Sequence, residues 1–269
     1  MGLLPPLEGF MLRAYVAGVL VAVILPVVGN FVVPKRLSMI GDTAAHVTFG
    51  ALAAAALLDV ASQDLLLYGV TALAVLGVLW MVRSLGFSGD TAAAIFLALG
   101  AATASIAYSL GSRLSVQGIL FGSILLVGWE EIASATVVLG VVLGTLALRY
   151  RALQLYVLSS ELVRLRGHRP EYVEVLLAVL ASMAVVSSIR LLGVLMVTAL
   201  TIIPVAAASS LATSMKRCLA LSIAIAQASV FAGVTLSYHV GFPPGAMTVL
   251  VALAALVTSS SLSRAGVRV

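Results

Sequence analysis

The stretch FMLRAYVAGVLVAVILPVVGNFVV, residues 10–33, decides the class of fold. It is apolar almost throughout, and about 20 such residues, rising about 1.5 Å each, cross a hydrocarbon core of about 30 Å as a helix. The whole chain shares this character, because 62% of its 269 residues are hydrophobic and only 9% are charged. Soluble domains carry about 25% charged residues. The sequence therefore predicts an all-α, polytopic helical membrane protein.

Nine stretches are long and apolar enough to be membrane spans. They are residues 10–33, 38–59, 65–82, 91–110, 131–149, 173–189, 190–211, 217–238 and 245–262. Residues 173–211 could instead form one span followed by a broken helix, so we predict eight to nine transmembrane segments. The longest connection, residues 150–172, is too short for a folded soluble domain. Residues 1–269 are therefore expected to form a single transmembrane domain.

The basic residues predict the orientation of these spans. If the nine segments alternate, all Lys and Arg except Arg13, Arg113 and Arg190 fall on one side, which is 12 of the 15. Short cytoplasmic loops carry such an excess of positive charge. We therefore expect a multi-pass protein of the cell membrane with its N-terminus outside and its C-terminus in the cytoplasm. This topology also explains the net charge of +5 without a nucleic-acid partner.

The second span carries a carboxylate and an imidazole within RLSMIGDTAAHVTFGAL, residues 36–52. Asp42 and His46 are four residues apart and therefore share one face of a helix. If Ser38 is the N-cap, His46 lies about 12 Å along the helix, inside the membrane core. An ionisable group at that depth usually faces protein or water and marks a pathway. Carboxylate and imidazole are also ligands for divalent transition-metal ions.

An internal repeat keeps a second interpretation of this acid open. Gly41-Asp42-Thr43-Ala44-Ala45 recurs as Gly89-Asp90-Thr91-Ala92-Ala93, and an acid at a helix start can simply complement the positive end of the helix dipole. The second copy continues with Ala94 where the first has His46, so the dipole does not explain the histidine. Two ligands are too few for a transported ion. A two-fold dimer with this helix at its axis would supply four.

The longest connection also contains signals for a short helix across the membrane face. Ser159 or Ser160 can cap it. Glu161 can pair with Arg164 or stabilise the helix start, and Gly167 ends the helix. The segment is either an ordinary basic loop or a docking surface for a cytoplasmic partner.

Three further residues are candidates for the pathway or its gate: Thr201, Pro204 and His239. Pro204 removes a backbone donor within TALTIIPVAA, residues 198–207, and the freed carbonyl must face protein or a wet cavity. The kink either lines a pathway or is merely tolerated. The apolar piece 118–128 is too short to span and would cap the external mouth.

ATP hydrolysis is not expected on this chain. A P-loop needs glycines before Lys-Ser or Lys-Thr, and neither Lys35 nor Lys216 has that setting. The chain is therefore predicted not to be an enzyme.

Three stretches resemble the permease subunits of zinc/manganese-type ABC importers: residues 29–46, 190–212 and 233–252. The resemblance implies a permease homodimer with the metal path between its two copies. It also implies cytoplasmic ABC ATPase subunits and a separate extracytoplasmic metal-binding protein. No cofactor is expected to be bound permanently, and the zinc or manganese ion is cargo.

Residue by residue, the resemblance implies two sites. Asp42 and His46 match the polar pair that lines the metal path in the family. The segment around Glu161, Val163 and Gly167, about residues 159–170, matches the coupling helix that seats in a cleft of the ATPase.

We therefore predict a transmembrane permease subunit of an ATP-driven importer for zinc, manganese or iron that works by alternating access. One alternative is a permease for a siderophore or corrinoid chelate, which would not need the Asp/His pair. Another is an ATP-independent channel or carrier, for which several membrane acids and an inverted repeat are expected. A structural scaffold would leave His46 unexplained.

Overall fold

The computed structural model describes residues 9–35, 37–58, 63–112, 124, 127–167 and 169–266. These residues contain ten α-helices and no strand. The helices are α1 (Gly9–Val32), α2 (Ser38–Leu57), α3 (Gln63–Ser84), α4 (Gly89–Ser109), α5 (Trp129–Leu158), α6 (Ser160–Leu165), α7 (Pro170–Leu192), α8 (Val194–Leu211), α9 (Met215–Val240) and α10 (Pro244–Arg264). A short 3-10 turn, Val33–Lys35, follows α1.

Within these described ranges, nine helices are long and apolar enough to cross a membrane, and only α6 is not. This confirms the prediction of an all-α polytopic membrane protein and selects nine spans over eight. Residues 173–211 belong to two separate helices, because Gly193, with φ +79°, breaks the helical backbone between α7 and α8. That left-handed backbone conformation is open to glycine and strained for other residues.

Several predicted helix ends are wrong, and two of them show the physical reason. Leu37, which has no side-chain capping bond, occupies the N-cap of α2 in place of Ser38. The fifth predicted span ends at residue 149, yet α5 continues to Leu158. The apolar stretch of this span ends at the first arginines. The helix extends past them because its backbone hydrogen bonds are internal and the charged side chains reach outward to water.

The described helices divide into two compact units. The first lies within Met1–Asn30, Gln117–Val141 and Ser187–Val269 and packs α8, α9 and α10 together with α1. Asn30, a buried polar residue of this unit, is paired: its side-chain amide donates to the carbonyl of Pro26 and to the hydroxyl of Ser222, each at 2.7 Å. Pairing of this kind stabilises a buried polar group because lipid offers no hydrogen-bond partner.

The second unit lies within Phe31–Val116 and Val142–Val186 and packs α2 against both α3 and α4. Two threonines on α2 join these helices. The Thr43 hydroxyl donates to the carbonyl of Ala93 at 3.2 Å, and the hydroxyls of Thr48 and Thr71 lie 2.8 Å apart. Interhelical hydrogen bonds of this kind stabilise helix association in membranes by about 0.6 to 2 kcal/mol each.

Candidate metal site and coupling helix

Asp42 and His46 lie side by side on α2. The Nε2 atom of His46 is 3.9 Å from Oδ1 of Asp42, and the two side chains are 29% and 34% exposed respectively. Their neighbours Ala44 and Ala45 are fully buried. The pair therefore faces outward from an otherwise packed helix, and at this distance the two groups are not hydrogen bonded to each other.

The backbone of α4 fixes the position of His46. A Cβ atom on Gly100 would lie only 2.5 Å from the His46 carbonyl oxygen, and one on Gly50 would lie 2.4 Å from the Gly100 carbonyl oxygen. The two helices thus touch backbone to backbone at the residue that carries the imidazole. Small residues permit such close approach between membrane helices. The sequence pattern alone does not single out either glycine, although both stand among alanines at helical positions.

The two copies of the GDTAA repeat occupy different places in their helices. Asp90 lies in the first turn of α4, where the backbone N–H of Thr91 donates to the Ser88 hydroxyl at 3.1 Å. Asp42 is the fifth residue of α2 and lies beyond its first turn. The helix dipole acts on charges within the first turn, so it accounts for Asp90 but not for Asp42.

The pair offers two metal ligands of the types that transition metals accept. Two donors about 2.0 to 2.2 Å from a tetrahedral ion are about 3.3 to 3.6 Å apart, so a small side-chain rotation would bring these groups into range. No cluster of three or more His, Cys, Asp or Glu side chains occurs in the part of the chain that the structure describes. Within those residues the pair of one copy is an incomplete ligand set.

The predicted short helix is present as α6, Ser160–Leu165. Of the two candidate caps, Ser159 is the N-cap, and its hydroxyl accepts the Glu161 N–H at 3.1 Å. Val163 is fully buried and anchors the helix, whereas Glu161 is exposed in its first turn.

Gly167 follows the helix with φ +74°, and no neighbouring atom lies within 4 Å of a Cβ built there. Arg164 pairs with Glu171 at 3.2 Å rather than with Glu161.

Basic residues at the ends of two other helices anchor the α6 region. The Lys35 ammonium lies 3.5 Å from the Ser160 hydroxyl and 4.5 Å from the centre of the Tyr156 ring. Arg83, at the end of α3, pairs with Glu174 on α7. Three segments that the charge pattern assigns to one side of the membrane therefore meet at one end of the second unit.

The three candidate pathway residues belong to the first unit. Thr201 is 5% exposed, and its hydroxyl donates to the Val197 carbonyl at 2.7 Å. Pro204 is buried within α8, while His239 is exposed near the end of α9. A Cβ on Gly29 would lie 2.2 Å from the Thr201 carbonyl oxygen, so this part of α8 is closely packed. Their role in a pathway stays a prediction. The proposed cap at 118–128 lies largely outside the described residues.

These features define the class of protein: a polytopic all-α membrane protein with an acid and an imidazole exposed on one buried helix and a short helix between two spans. The sequence matches the ABC 3 transport family over residues 8–263, and the chain belongs to that family. It is a permease subunit and not an enzyme, since the ATPase of such a transporter is a separate subunit.

Relatives and a solved structure agree with this assignment over most of the chain. The high-affinity zinc uptake system membrane protein ZnuB of Buchnera aphidicola subsp. Schizaphis graminum is 28% identical over 240 residues, covering 88% of this chain and 91% of the relative. The manganese transport system membrane protein MntC of Listeria monocytogenes is 25% identical over 248 residues, covering 90% and 87%. PsaBC from Streptococcus pneumoniae in complex with Fab shares the fold, with a TM-score of 0.85, 22% identity and coverage of 94% and 91%.

Proposed function

We propose that this chain carries zinc or manganese ions inward through a path between two copies of itself, driven by a separate cytoplasmic ATPase. An extracytoplasmic binding protein delivers the ion. The names of the zinc and manganese relatives support a free metal ion as cargo rather than a chelate. Residues 1–269 form a single transmembrane permease domain in this proposal, with the N-terminus outside and the C-terminus in the cytoplasm.

The observation that carries the proposal is the geometry of Asp42 and His46. Both side chains are partly exposed in a single copy, although the helix that bears them is mostly buried. Ionisable groups at membrane depth are costly unless they face protein or water, so this face of α2 requires a polar partner. A second copy related by a two-fold axis supplies the same two groups again and completes a four-ligand set of two carboxylates and two imidazoles.

The proposal is tested with the permease and its ATPase reconstituted in vesicles, by measuring ATP-dependent uptake of radioactive zinc and manganese. Replacing Asp42 or His46 by Ala is expected to reduce uptake to background while the complex still assembles. Asp90→Ala is the matched control, because it removes an acid from the same GDTAA sequence without a histidine after it. It should retain uptake and lose at most about 1 kcal/mol of stability. Full uptake by His46→Ala would refute the ligand role.

The same vesicles identify the cargo. Unlabelled zinc, manganese and iron are added in competition with each radioactive ion, and the ion that competes at the lowest concentration is the preferred substrate. Uptake should require ATP. Equal uptake without ATP would contradict the proposed mechanism while leaving the ligand assignment testable by the variants above.

A further inference from the structure

A groove of about 530 Å³ lies between α5 and α7 in the second unit and plays no part in the proposed metal path. On α5 its lining includes Thr145, Leu148, Arg149 and Ala152, which share one helical face because they are three or four residues apart. Across from them are Arg169, just before α7, and the first two turns of α7. The groove is therefore bounded by two helices at the point where the apolar, membrane-spanning stretch of each helix ends.

The lining changes from charged to apolar along the groove. Arg149 lies at the end of the apolar stretch of α5, and Arg169 directly precedes the first residue of α7. Leu176, by contrast, lies within the span of α7, and Thr145 lies one turn deeper along α5. One end of the groove therefore lies at headgroup level and the other in the hydrocarbon region.

The two guanidinium groups have no carboxylate partner within the described ranges. The acids nearest in sequence are already engaged, because Glu171 pairs with Arg164 and Glu174 pairs with Arg83. Both Arg149 and Arg169 are exposed. An arginine pair of this kind complements a phosphate group, to which guanidinium donates hydrogen bonds in a fixed fork geometry.

The surroundings suit a lipid. Leu148 is 85% exposed at the rim, whereas Leu153 and Val173 are buried and form the floor. Tyr172, exposed beside Arg169, is an aromatic residue of the type enriched at membrane interfaces. A soluble protein partner would have to reach the apolar half at membrane depth, whereas an acyl chain already lies there.

We propose that this groove binds one anionic phospholipid, with its phosphate between Arg149 and Arg169 and the start of an acyl chain along Leu176. Basic pockets between spans at the headgroup level recognise anionic lipids in this way. The assignment does not depend on the metal path or on which side of the membrane the groove faces.

The test uses the full-length chain in detergent and measures bound phosphatidylglycerol and phosphatidylcholine by native mass spectrometry. Phosphatidylglycerol should bind preferentially. Replacing both Arg149 and Arg169 by Gln should weaken that binding about thirtyfold, since each basic residue near the surface contributes about 1 kcal/mol, which is about fivefold. The control pair Arg151→Gln and Arg166→Gln removes the same charge from the same level without lining the groove, and should bind like the parent.

A second variant tests the cavity rather than its charge. Ala152→Trp fills the groove, retains both arginines and should also lose the lipid, provided its melting temperature matches that of the parent. Equal loss in the control pair, or equal binding of phosphatidylcholine, would overturn the proposal. Displacement by an equal concentration of inorganic phosphate would assign the site to free phosphate. Loss of the lipid when the ATPase assembles on the parent chain would assign the groove to that subunit.

Discussion

At the scale of single residues, the histidine depends on a glycine in another helix. The carbonyl of His46 touches Gly100 so closely that a Cβ there would lie 2.5 Å from it. That neighbouring atom belongs to backbone and cannot rotate away, so any larger residue must push α2 from α4. The position of the His46 backbone against α4 therefore depends on the absence of a side chain at Gly100.

We expect Gly100→Ala to destabilise the protein by about 1 to 3 kcal/mol, the range for overpacking, and to reduce metal uptake through displacement of His46. Gly69→Ala is the control, because that glycine also lies within a helix of the second unit and has nothing within 4 Å of a Cβ. It should be neutral or stabilising by up to about 1 kcal/mol. Thermal unfolding and uptake on the same preparations measure both effects, and equal behaviour of the two variants would contradict the positioning role.

The sequence predicts the ligand pair but not the glycine contact that positions it. The reason for this difference is physical. The spacing of Asp42 and His46 is local, and any helix brings residues four apart onto one face. The approach of Gly50 to Gly100 depends on how two helices pack. Glycines among alanines indicate that close packing is allowed, yet they do not say which partner helix is involved. For the same reason, the sequence does not show that Arg164 pairs with Glu171 rather than with Glu161, which is closer in sequence.

At the scale of elements, α6 needs its neighbours in order to be a helix. An isolated segment of six residues is far below the length at which helices are stable in water. The Ser159 cap, the buried Val163 and the contact of Lys35 with Ser160 compensate for this. The exposed side of α6 is left available for a partner, which is the arrangement a coupling helix requires.

Changing Gly167 to Val should weaken binding of the ATPase and uncouple hydrolysis from uptake. The glycine has φ +74°, a conformation in which a β-branched residue is strained, so the turn after α6 must rearrange. Pull-down of the ATPase and its hydrolysis rate report the effect.

The control for that variant is Gly86→Val, which introduces comparable strain at φ +71° in the connection between α3 and α4, also with open space around it. It should lose similar stability and still bind the ATPase. If both variants bind and hydrolyse alike, the assignment of α6 as the coupling element is wrong.

Helix identity was more predictable than helix length. Every predicted span corresponds to a helix because the membrane demands about 20 apolar residues. The ends differ because a helix can continue into water with charged side chains, as α5 does up to Leu158. At the other end of the connection α7 begins at Pro170, three residues before the predicted span, since proline is favoured at the first helical position.

At the scale of the whole molecule, a charge count and a set of contacts agree on topology. Alternating spans place Lys35, Arg83 and the α6 region on one side, and the structure brings these three together through Ser160 and Glu174. The sequence reaches this result because short loops record their side of the membrane in Lys and Arg content. It does not reveal how two copies would meet in the proposed dimer, since such an interface has no local sequence signal beyond an exposed polar pair.

The proposed dimer places Asp42 of each copy at the two-fold axis, which gives a direct test by cross-linking. Asp42→Cys, in a background with Cys218→Ser, should form a covalent dimer with a short thiol-reactive cross-linker when the complex is treated in membranes. Leu73→Cys in the same background is the control, because Leu73 is 71% exposed on α3 and is expected to face lipid. A cysteine at an isologous axis meets its own symmetry mate, so cross-linking should be efficient at position 42 and absent at position 73. Equal yields at the two positions, or only monomer at position 42 with the thiol shown to be reactive, would remove the second pair of ligands and with it the four-ligand metal path.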